Sequence, residues 1–166
     1  MKKALLLILL FPFAATSAIA DKLRLPADAP PAFQAECGSC HVAFPPQLLT
    51  ADDWRRVMRS LDKHYGDNAS LDEKTRVILE DFHVRHAGGK KVGSSNMART
   101  GEPPRLTQTD WFLREHRKVS AADWKDAKVK TPANCAACHT QAAAGSYRER
   151  EIVMPLGKNA GRRWED

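Results

Sequence analysis

The sequence has few aromatic residues, few cysteines and no apolar stretch of the length that a membrane protein needs. Aromatic side chains make up 7% of the 166 residues and there are four cysteines. The chain has no run of about 20 apolar residues, which excludes a protein with several membrane-spanning helices. It also lacks a Gly-X-Y repeat, which excludes a collagen-like chain. Apolar residues still make up 43% of the sequence, too many for a disordered protein. The length suits one ordinary domain or two very small ones.

The first twenty residues have the pattern of a secretory signal peptide. Lys2 and Lys3 precede an apolar run over residues 4–15, and Ala18-Ile19-Ala20 provides a small-x-small cleavage site. An uncleaved membrane anchor is the alternative, but a run interrupted by Pro12 is shorter than the roughly 20 residues that cross a bilayer. We therefore expect cleavage after Ala20 and export to the periplasm.

The charge balance is weakly basic. The full chain carries 26 lysines and arginines against 20 aspartates and glutamates, or +6. Without Lys2 and Lys3 the balance is 24 against 20, or +4. Because nucleic-acid-binding domains show a strongly basic face with interleaved aromatic residues, this composition gives little support to nucleic-acid binding.

All four cysteines lie in two copies of one motif. Cys37-Gly38-Ser39-Cys40-His41 and Cys135-Ala136-Ala137-Cys138-His139 both have the form C-x-x-C-H. Two thiols one helical turn apart can add to the two vinyl groups of a haem, and the adjacent imidazole is then held under the iron as its proximal ligand. The two copies predict two covalently bound haem c groups.

Other uses of four cysteines fit this spacing less well. Two disulfides are usual in a small exported protein, but they do not explain why a histidine follows each pair. A zinc ribbon places its pairs about 15 to 20 residues apart, whereas 94 residues separate these two. A thioredoxin-like redox pair requires a βαβ pattern, and the sequence shows no parallel-strand pattern.

The chain divides into two small lobes with one motif each. Gly88-Gly89, Gly93-Ser94-Ser95 and Pro103-Pro104 lie in a stretch without apolar periodicity, which is typical of a linker. We predict a signal peptide over residues 1–20, an N-terminal haem domain over 21–90, a linker over 91–109 and a C-terminal haem domain over 110–166. Neither lobe is large enough to bury a generous core alone, so the haem would supply the missing apolar mass.

The periodicity predicts a mostly α-helical protein, since no segment alternates with period two. In the first lobe, a short helix opens at Pro30-Pro31 and ends on the first motif, and a second helix is capped by Thr50. A third helix begins at Ser70 with the capping box Ser70-x-x-Glu73 and stops at Gly88-Gly89. The apolar stripes consist of Trp54, Val57, Met58 and Leu61 in the second helix and of Leu71, Thr75, Ile78 and Phe82 in the third.

The second lobe is predicted to place its helices before and around its motif. We expect one helix over residues 110–117, one from Ser120 to Val129 opened by Ser120-x-x-Asp123, and one over residues 132–144 that contains the motif. The tail from Gly145 is expected to be irregular. Because the first lobe has its helices after its motif and the second before it, an internal duplication is not indicated.

The order of motifs resembles the small dihaem cytochrome c family of proteobacteria. The resemblance rests on CGSCH followed by Pro45-Pro46, on W-x-x-x-M-x-x-L-x-x-H-Y-G from Trp54 to Gly66, on Trp111-Phe112 with His116, and on Asn134 before the second motif. It implies a class I cytochrome c fold for the first lobe, a less regular helical fold for the second and two histidines on each iron. It also implies an electron carrier between a membrane b-type cytochrome and a small oxygen-binding monohaem cytochrome c.

Several side chains are candidates for the sixth ligand of the first iron, whose proximal ligand is His41. His64 lies on the connection between two helices that would flank the haem, and the class I fold implied by the resemblance brings its distal ligand over the iron from that connection. His86 is the alternative on the Phe82 face, although a histidine in the last helical turn also suits the helix dipole. His83 lies off the stripe and is expected to be solvated.

For the second iron, whose proximal ligand is His139, the preferred distal ligand is His116. It follows Phe112 by one helical turn, and Trp111-Phe112 forms an apolar platform for a porphyrin edge. Met154 before Pro155 is the competing ligand, and His116 as a surface histidine is the competing role. Met58 is expected in the core of its own helix, and Met97 is a further sulfur candidate. We expect the outer nitrogen of His41 to bond a carbonyl of the Pro45-Pro46 segment.

These residues predict an electron carrier and leave a second class open. If protein ligands fill both axial positions, neither iron can bind oxygen, peroxide or nitrite, and electron transfer is the remaining chemistry. A small haem enzyme of the peroxidase or nitrite-reducing type, with one vacant position and His83 or His86 near it, is the alternative. A haem-free interaction module is the third class.

The charges are unevenly distributed along the chain. Residues 21–84 carry −3, residues 85–118 carry +5 and residues 119–166 carry +2. We therefore expect the basic segment around Arg105, Arg114, Arg117 and Lys118 to steer an acidic partner toward the second haem, and the first lobe to meet a more basic partner.

Overall fold

The computed structural model describes residues 23–89, here called the first half, and residues 103–156, the second half. The predicted signal peptide, residues 91–102 of the predicted linker, Met97 and residues 157–166 lie outside the described residues. Within the described halves the protein is mostly helical, and extended pairing is limited to two isolated bridges. The prediction of a mostly α-helical protein is confirmed.

In the described residues, four α-helices are connected by short helical turns. The α-helices are α1 (Ala51–Met58), α2 (Glu73–Arg85), α3 (Asp110–Glu115) and α4 (Ala121–Trp124). A wide turn of the π type covers Phe33–Cys37, and 3-10 turns cover Pro46–Leu48, Leu61–Lys63, Leu106–Gln108, Cys135–Ala137, Ala142–Ala144 and Glu149–Glu151. The predicted short helix that ends on the first cysteine motif corresponds to the wide turn.

Side-chain caps begin each α-helix, and one differs from its predicted residue. Thr50 caps α1, because its hydroxyl accepts a hydrogen bond from the backbone N–H of Asp53 at 3.2 Å. Asp72 caps α2 in the same way, accepting from the N–H of Thr75 at 3.0 Å. The expected start at Ser70 is therefore wrong, since an ionised carboxylate two residues later both accepts this bond and suits the positive end of the helix dipole.

The helices α1 and α2 pack together to form the core of the first half. Trp54, Val57 and Met58 of α1 are buried, as predicted. The buried face of α2 consists of Leu79, Phe82 and His83. Ile78, expected on that face, is 43% exposed, whereas His83, expected in solvent, is 2% exposed. The buried face of α2 therefore includes Leu79 and His83, each one position after the predicted Ile78 and Phe82.

The second half contains shorter helices than its sequence pattern predicts. The helix predicted to reach Val129 ends at Trp124. Beyond it, the carboxylate of Asp126 accepts from the N–H of Lys128 at 2.8 Å, and Lys130 has a left-handed φ of 61°. Such a local side-chain bond satisfies backbone groups without a helix, and a left-handed residue ends helical geometry.

The segment around the second motif is also less helical than predicted. Residues 132–144 form the two turns Cys135–Ala137 and Ala142–Ala144 instead of one helix. The side chain of Asn134 donates to the carbonyls of Lys128 and Val129, at 3.1 Å each, and so fixes the chain before the motif. Gly145 then ends the second turn with a φ of 75°. The tail, expected to be irregular, contains the turn Glu149–Glu151.

Buried apolar side chains from both halves form one continuous cluster. Leu23 and Leu25 at the start of the first half pack into it, as do Trp111, Phe112 and Tyr147 from the second half. A Cβ placed on Gly145 would lie 3.2 Å from the Cβ of Leu25, so the two segments are in close contact. Among the described helices none is long and apolar enough to cross a bilayer.

Candidate haem sites

The first C-x-x-C-H motif follows directly from the wide turn Phe33–Cys37. The N–H of Gly38 donates to the carbonyl of Gln34 at 3.1 Å, and the hydroxyl of Ser39 donates to the carbonyl of Glu36 at 2.9 Å. A Cβ on Gly38 would lie 2.4 Å from the same Gln34 oxygen, closer than packed atoms approach. The first variable position of this motif therefore requires glycine.

The imidazole of His41 is fixed by its immediate neighbours. Its Nδ1 lies 2.8 Å from the carbonyl oxygen of Val42, and its ring stacks on Phe44 with ring centres 4.6 Å apart. A backbone bond of this kind sets the tautomer and leaves Nε2 available to a metal. The prediction that the Pro45-Pro46 segment supplies the carbonyl is wrong, because the Pro46 oxygen accepts from Nε1 of Trp54 at 2.7 Å.

His64 lies on the connection between α1 and α2 and faces His41. The two ring centres are 6.4 Å apart and the ring planes differ by 14°. Two imidazoles bonded to opposite sides of one metal at about 2 Å each have their ring centres about 6 Å apart. The separation therefore suits an iron between the two rings. Tyr65 packs its edge against His64, with ring centres 4.9 Å apart.

The other two histidines of the first half have different surroundings. His83 lies in the core, where its Nδ1 is 2.7 Å from the Leu79 carbonyl and its ring centre is 4.2 Å from that of Trp54. Burial lowers the pKa of His83 to about 4. His86 at the end of α2 pairs through Nε2 with the carboxylate of Asp28 at 2.9 Å. Neither contact set includes His41 or His64.

The second motif is held by backbone bonds on both sides. The N–H of His139 donates to the carbonyl of Cys135 at 2.8 Å, and the N–H of Val153 donates to the carbonyl of Cys138 at 2.9 Å. A bridge also pairs His139 with Ile152. The returning chain thus supports the motif from one side, a role that Gly38 and the wide turn fill in the first half.

His116 faces His139 from the end of α3. The two ring centres are 6.2 Å apart and the ring planes differ by 78°. Nδ1 of His116 lies 2.8 Å from the carbonyl oxygen of Phe112, and its ring stacks on that of Phe112 at 4.0 Å between ring centres. Trp124 of α4 covers another side at 5.8 Å. This spacing also suits an iron between the two rings.

Burial favours the neutral, metal-binding form of three of the candidate ligands, His64, His116 and His139. It lowers the pKa of His139 to about 4 and is the main reason why the pKa values of His64 and His116 are also lowered. In His64 and His139, the charge of the facing imidazole adds to this effect. Because a metal binds the neutral imidazole, these sites are prepared for coordination near neutral pH.

Unpaired buried polar atoms show that the second half fits a further group. Nε1 of Trp111 and Oη of Tyr147 are buried without a hydrogen-bond partner among the described residues. Buried donors are normally paired, and a haem with its two propionates contributes both apolar surface and acceptor oxygens. The residues present thus fit a bound haem.

The structure also bears on the competing uses of the cysteines and methionines. In the described residues no cysteine forms a disulfide, and no group of three or more His, Cys, Asp or Glu side chains could hold a metal ion. Met58 is buried at 4% exposure, as expected for a core residue, and Met154 is buried at 9%.

Sequence reasoning identified the four histidines but missed their supporting side chains. Phe44, Tyr65, Trp124 and Tyr147 all contact one of these imidazoles. Phe44 and Tyr65 lie within three residues of a candidate ligand, so their position was a usable signal. Trp124 and Tyr147 reach their histidines only through the fold.

Comparisons with known proteins agree with these two sites. The sequence model of the dihaem cytochrome c family matches residues 33–147. Among solved structures, the chain is similar to the dihaem cytochrome c of Shewanella baltica, with 33% identity, a TM-score of 0.64 and coverage of 75% of this chain and 92% of that one. It is also similar to the dihaem cytochrome c of Rhodobacter sphaeroides, with 35% identity, a TM-score of 0.62 and coverage of 72% and 98%. No curated protein matches.

The family match covers more than half of the chain and includes both cysteine motifs. It confirms the resemblance that the motif order suggested and removes the haem-free module from consideration. The chain therefore belongs to the dihaem cytochrome c family, and it carries two covalently bound haem c groups.

Proposed function

We propose that this dihaem cytochrome is a periplasmic electron carrier in which His41 and His64 hold one iron and His139 and His116 hold the other. The observation that carries the proposal is the ring spacing of 6.4 Å in one pair and 6.2 Å in the other. Each pair has room for one metal and no room for a substrate between the ring and the metal. When bound, each haem supplies a one-electron exchange between ferric and ferrous iron.

The protein side chains would orient the ligands and exclude water. Backbone carbonyls hold Nδ1 of His41 and of His116, which fixes the ring orientation and increases the basicity of the bonding nitrogen. Phe44 and Phe112 cover one ring in each pair. Because methionine raises a haem potential relative to histidine, both potentials are expected below that of a Met/His cytochrome.

Carbon monoxide binding to the reduced wild-type protein tests six-coordination. A haem with two histidine ligands binds carbon monoxide only as fast as one histidine leaves the iron, so we expect slow binding and no fast spectral change at either site. Fast binding by half or all of the haem would refute the proposal and favour a haem enzyme with an open position. The weak red charge-transfer band of a ferric Met-ligated haem would instead assign Met154 or Met97 as a ligand.

The structure offers less support for the haem-enzyme alternative than the sequence did. The alternative depended on His83 and His86 as spare groups near a vacant position. His83 is bonded to the Leu79 carbonyl within the core, and His86 is paired with Asp28. These contacts give both side chains a structural role and favour the carrier over the enzyme.

For partners, we propose a membrane b-type cytochrome and a small oxygen-binding monohaem cytochrome c. Within the basic segment, Arg114 is half exposed on α3, two residues before His116, and it supports an acidic partner at the second haem. Arg105 lies instead over the ring of Tyr65, the residue after His64 of the first pair. Reversing the charge of Arg114 and Arg117 should slow electron exchange with that partner and weaken its salt dependence, whereas reversal at exposed Arg59 should not. Unchanged rates with both partners would refute the docking model.

Export to the periplasm belongs to the same proposal. It depends on the signal-peptide pattern of residues 1–20 and on the attachment of c-type haem outside the cytoplasm. Amino-terminal sequencing of the mature protein should begin at Asp21. A mature protein that begins at Met1 and is found in the membrane would contradict the proposal.

A further inference from the structure

The residue after His64 has a backbone conformation that its side chain does not favour. Tyr65 has a φ of 53°, in the left-handed region, and Gly66 follows with a φ of 115°. Lys130 is the other non-glycine residue with a positive φ in the described residues. A bulky residue rarely adopts this conformation, and it persists only where the surrounding contacts hold it.

The contacts that hold Tyr65 come from the second half of the chain. Its hydroxyl donates to the carbonyl of Pro104 at 2.5 Å, across 39 positions of sequence. The guanidinium of Arg105 lies over its ring, 4.5 Å from the ring centre, a favourable cation–π position. Pro104 is buried, whereas Arg105 is exposed. The residue whose carbonyl accepts the Tyr65 bond is therefore packed into the second half.

Tyr65 in turn restrains His64. The two residues are adjacent, and the edge of the Tyr65 ring packs against the imidazole at 4.9 Å between ring centres. The rest of this connection is closed by its own backbone, since Asp67 donates to the carbonyl of His64 at 3.1 Å and Ala69 donates to that of Leu61 at 2.8 Å. Tyr65 therefore provides a direct link from this connection to the second half.

We propose that Tyr65 is a positioning residue through which Pro104 and Arg105 of the second half hold His64 in place at the first haem. This inference rests on the proposed role of His64 as a ligand. The second half would then control how often His64 leaves the iron, without touching the haem itself. An external ligand competes for the position only during that fraction of time, so weakening the link speeds external binding.

The rate of carbon monoxide binding to the reduced protein measures this link. Tyr65→Phe removes the hydroxyl and keeps the ring, and we expect binding about fivefold faster, the worth of one ordinary hydrogen bond. Tyr65→Asn introduces a residue that tolerates positive φ and removes both the hydroxyl and the ring. This variant should bind carbon monoxide faster still. Arg105→Gln should act in the same direction. In each case half of the total haem should respond, because only the first site is affected.

Arg59→Gln is the control for the charge lost in Arg105→Gln, since Arg59 is likewise an exposed arginine but lies in the first half. It should bind carbon monoxide at the wild-type rate. If His64→Ala opens half of the haem while the Tyr65 and Arg105 variants keep the wild-type rate, the positioning role is refuted and the ligand assignment stands. If His64→Ala leaves both haems closed, the ligand assignment fails and the positioning role fails with it.

Discussion

The two proposed haem sites each pair two histidines, but the backbone anchors opposite members of the two pairs. In the first site the histidine of the cysteine motif, His41, bonds its Nδ1 to a backbone carbonyl. In the second site the partner histidine, His116, makes that bond, while Nδ1 of His139 is buried without a partner among the described residues. In the first pair the anchored imidazole thus belongs to the cysteine motif, and in the second it belongs to the end of α3.

The sites also differ in how the paired rings are turned. The planes of His41 and His64 are nearly parallel, at 14°, whereas those of His116 and His139 are nearly perpendicular, at 78°. The first pair is framed by two packed helices and the second by short turns. A ring spacing that suits one metal between two imidazoles is therefore reached through different backbones, and under the proposed ligation the two irons would have different ligand fields.

Removing either distal histidine should produce the largest effect and is the direct way to break this comparison. His64→Ala and His116→Ala should each let half of the reduced haem bind carbon monoxide, and the double variant should open all of it. His86→Ala, which removes an imidazole paired with Asp28, should open none. Binding stoichiometry against total haem, measured by pyridine haemochrome, provides the check. Half-binding by His86→Ala would reassign the first site.

Acid should destabilise the first half through His83, a buried histidine outside the proposed ligand pairs. The folded protein holds the pKa of His83 near 4, down from 6.5, because burial opposes its charge. In the unfolded chain this histidine takes up a proton near pH 6.5, whereas in the folded protein it stays neutral down to about pH 4. The free energy of unfolding therefore falls by up to about 3 kcal/mol as the pH falls from 6.5 to 4. Above pH 6.5 this contribution is fully present.

His83→Phe tests the assignment, because it keeps an aromatic ring beside Trp54 but cannot take up a proton. Denaturant unfolding across this pH range should show a shallower loss of stability for His83→Phe than for the wild type. His86→Gln is the control and should retain most of the acid loss. Equal slopes for the wild type and His83→Phe would show that His83 is not the source.

The smallest expected effect concerns the residue that follows the first cysteine of each motif, Gly38 in the first and Ala136 in the second. A Cβ on Gly38 would meet the Gln34 carbonyl at 2.4 Å, while Ala136 already occupies the same position in the second motif. Gly38→Ala should therefore cost about 1–3 kcal/mol of unfolding free energy and lower covalent haem at the first site. Ala136→Gly should cost at most about 1 kcal/mol. Equal losses from both variants would contradict the difference between the motifs.

The sequence predicted the two covalent haem groups better than it predicted the helices around them. Covalent haem attachment requires a fixed spacing, so the two motifs were visible directly. The capping residues Thr50 and Ser120 were found for a similar reason, since one side chain satisfies one backbone N–H. The family match then confirmed the number and type of cofactors.

His83 and the second half show why the rest could not be predicted. The apolar pattern of α2 is weak, so Ile78 and Leu79 were equally good candidates for the inward face. The choice matters for His83, because it shares a face with Leu79, four residues earlier, and not with Ile78. In the second half, short turns fixed by Asp126 and Asn134 replace the helices. Local side-chain bonds of this kind leave no period in the sequence.

Electron paramagnetic resonance of the ferric wild-type protein tests the central claim, that each half holds one iron between two histidines in its own mutual orientation. Parallel imidazoles act on the iron along one direction and separate its two π-bonding d orbitals, whereas perpendicular imidazoles leave them nearly equal in energy. We predict two low-spin signals of equal intensity, a rhombic one from His41 and His64 and one with a large principal g value from His116 and His139. A high-spin signal, or two rhombic signals of the same form, would contradict the account.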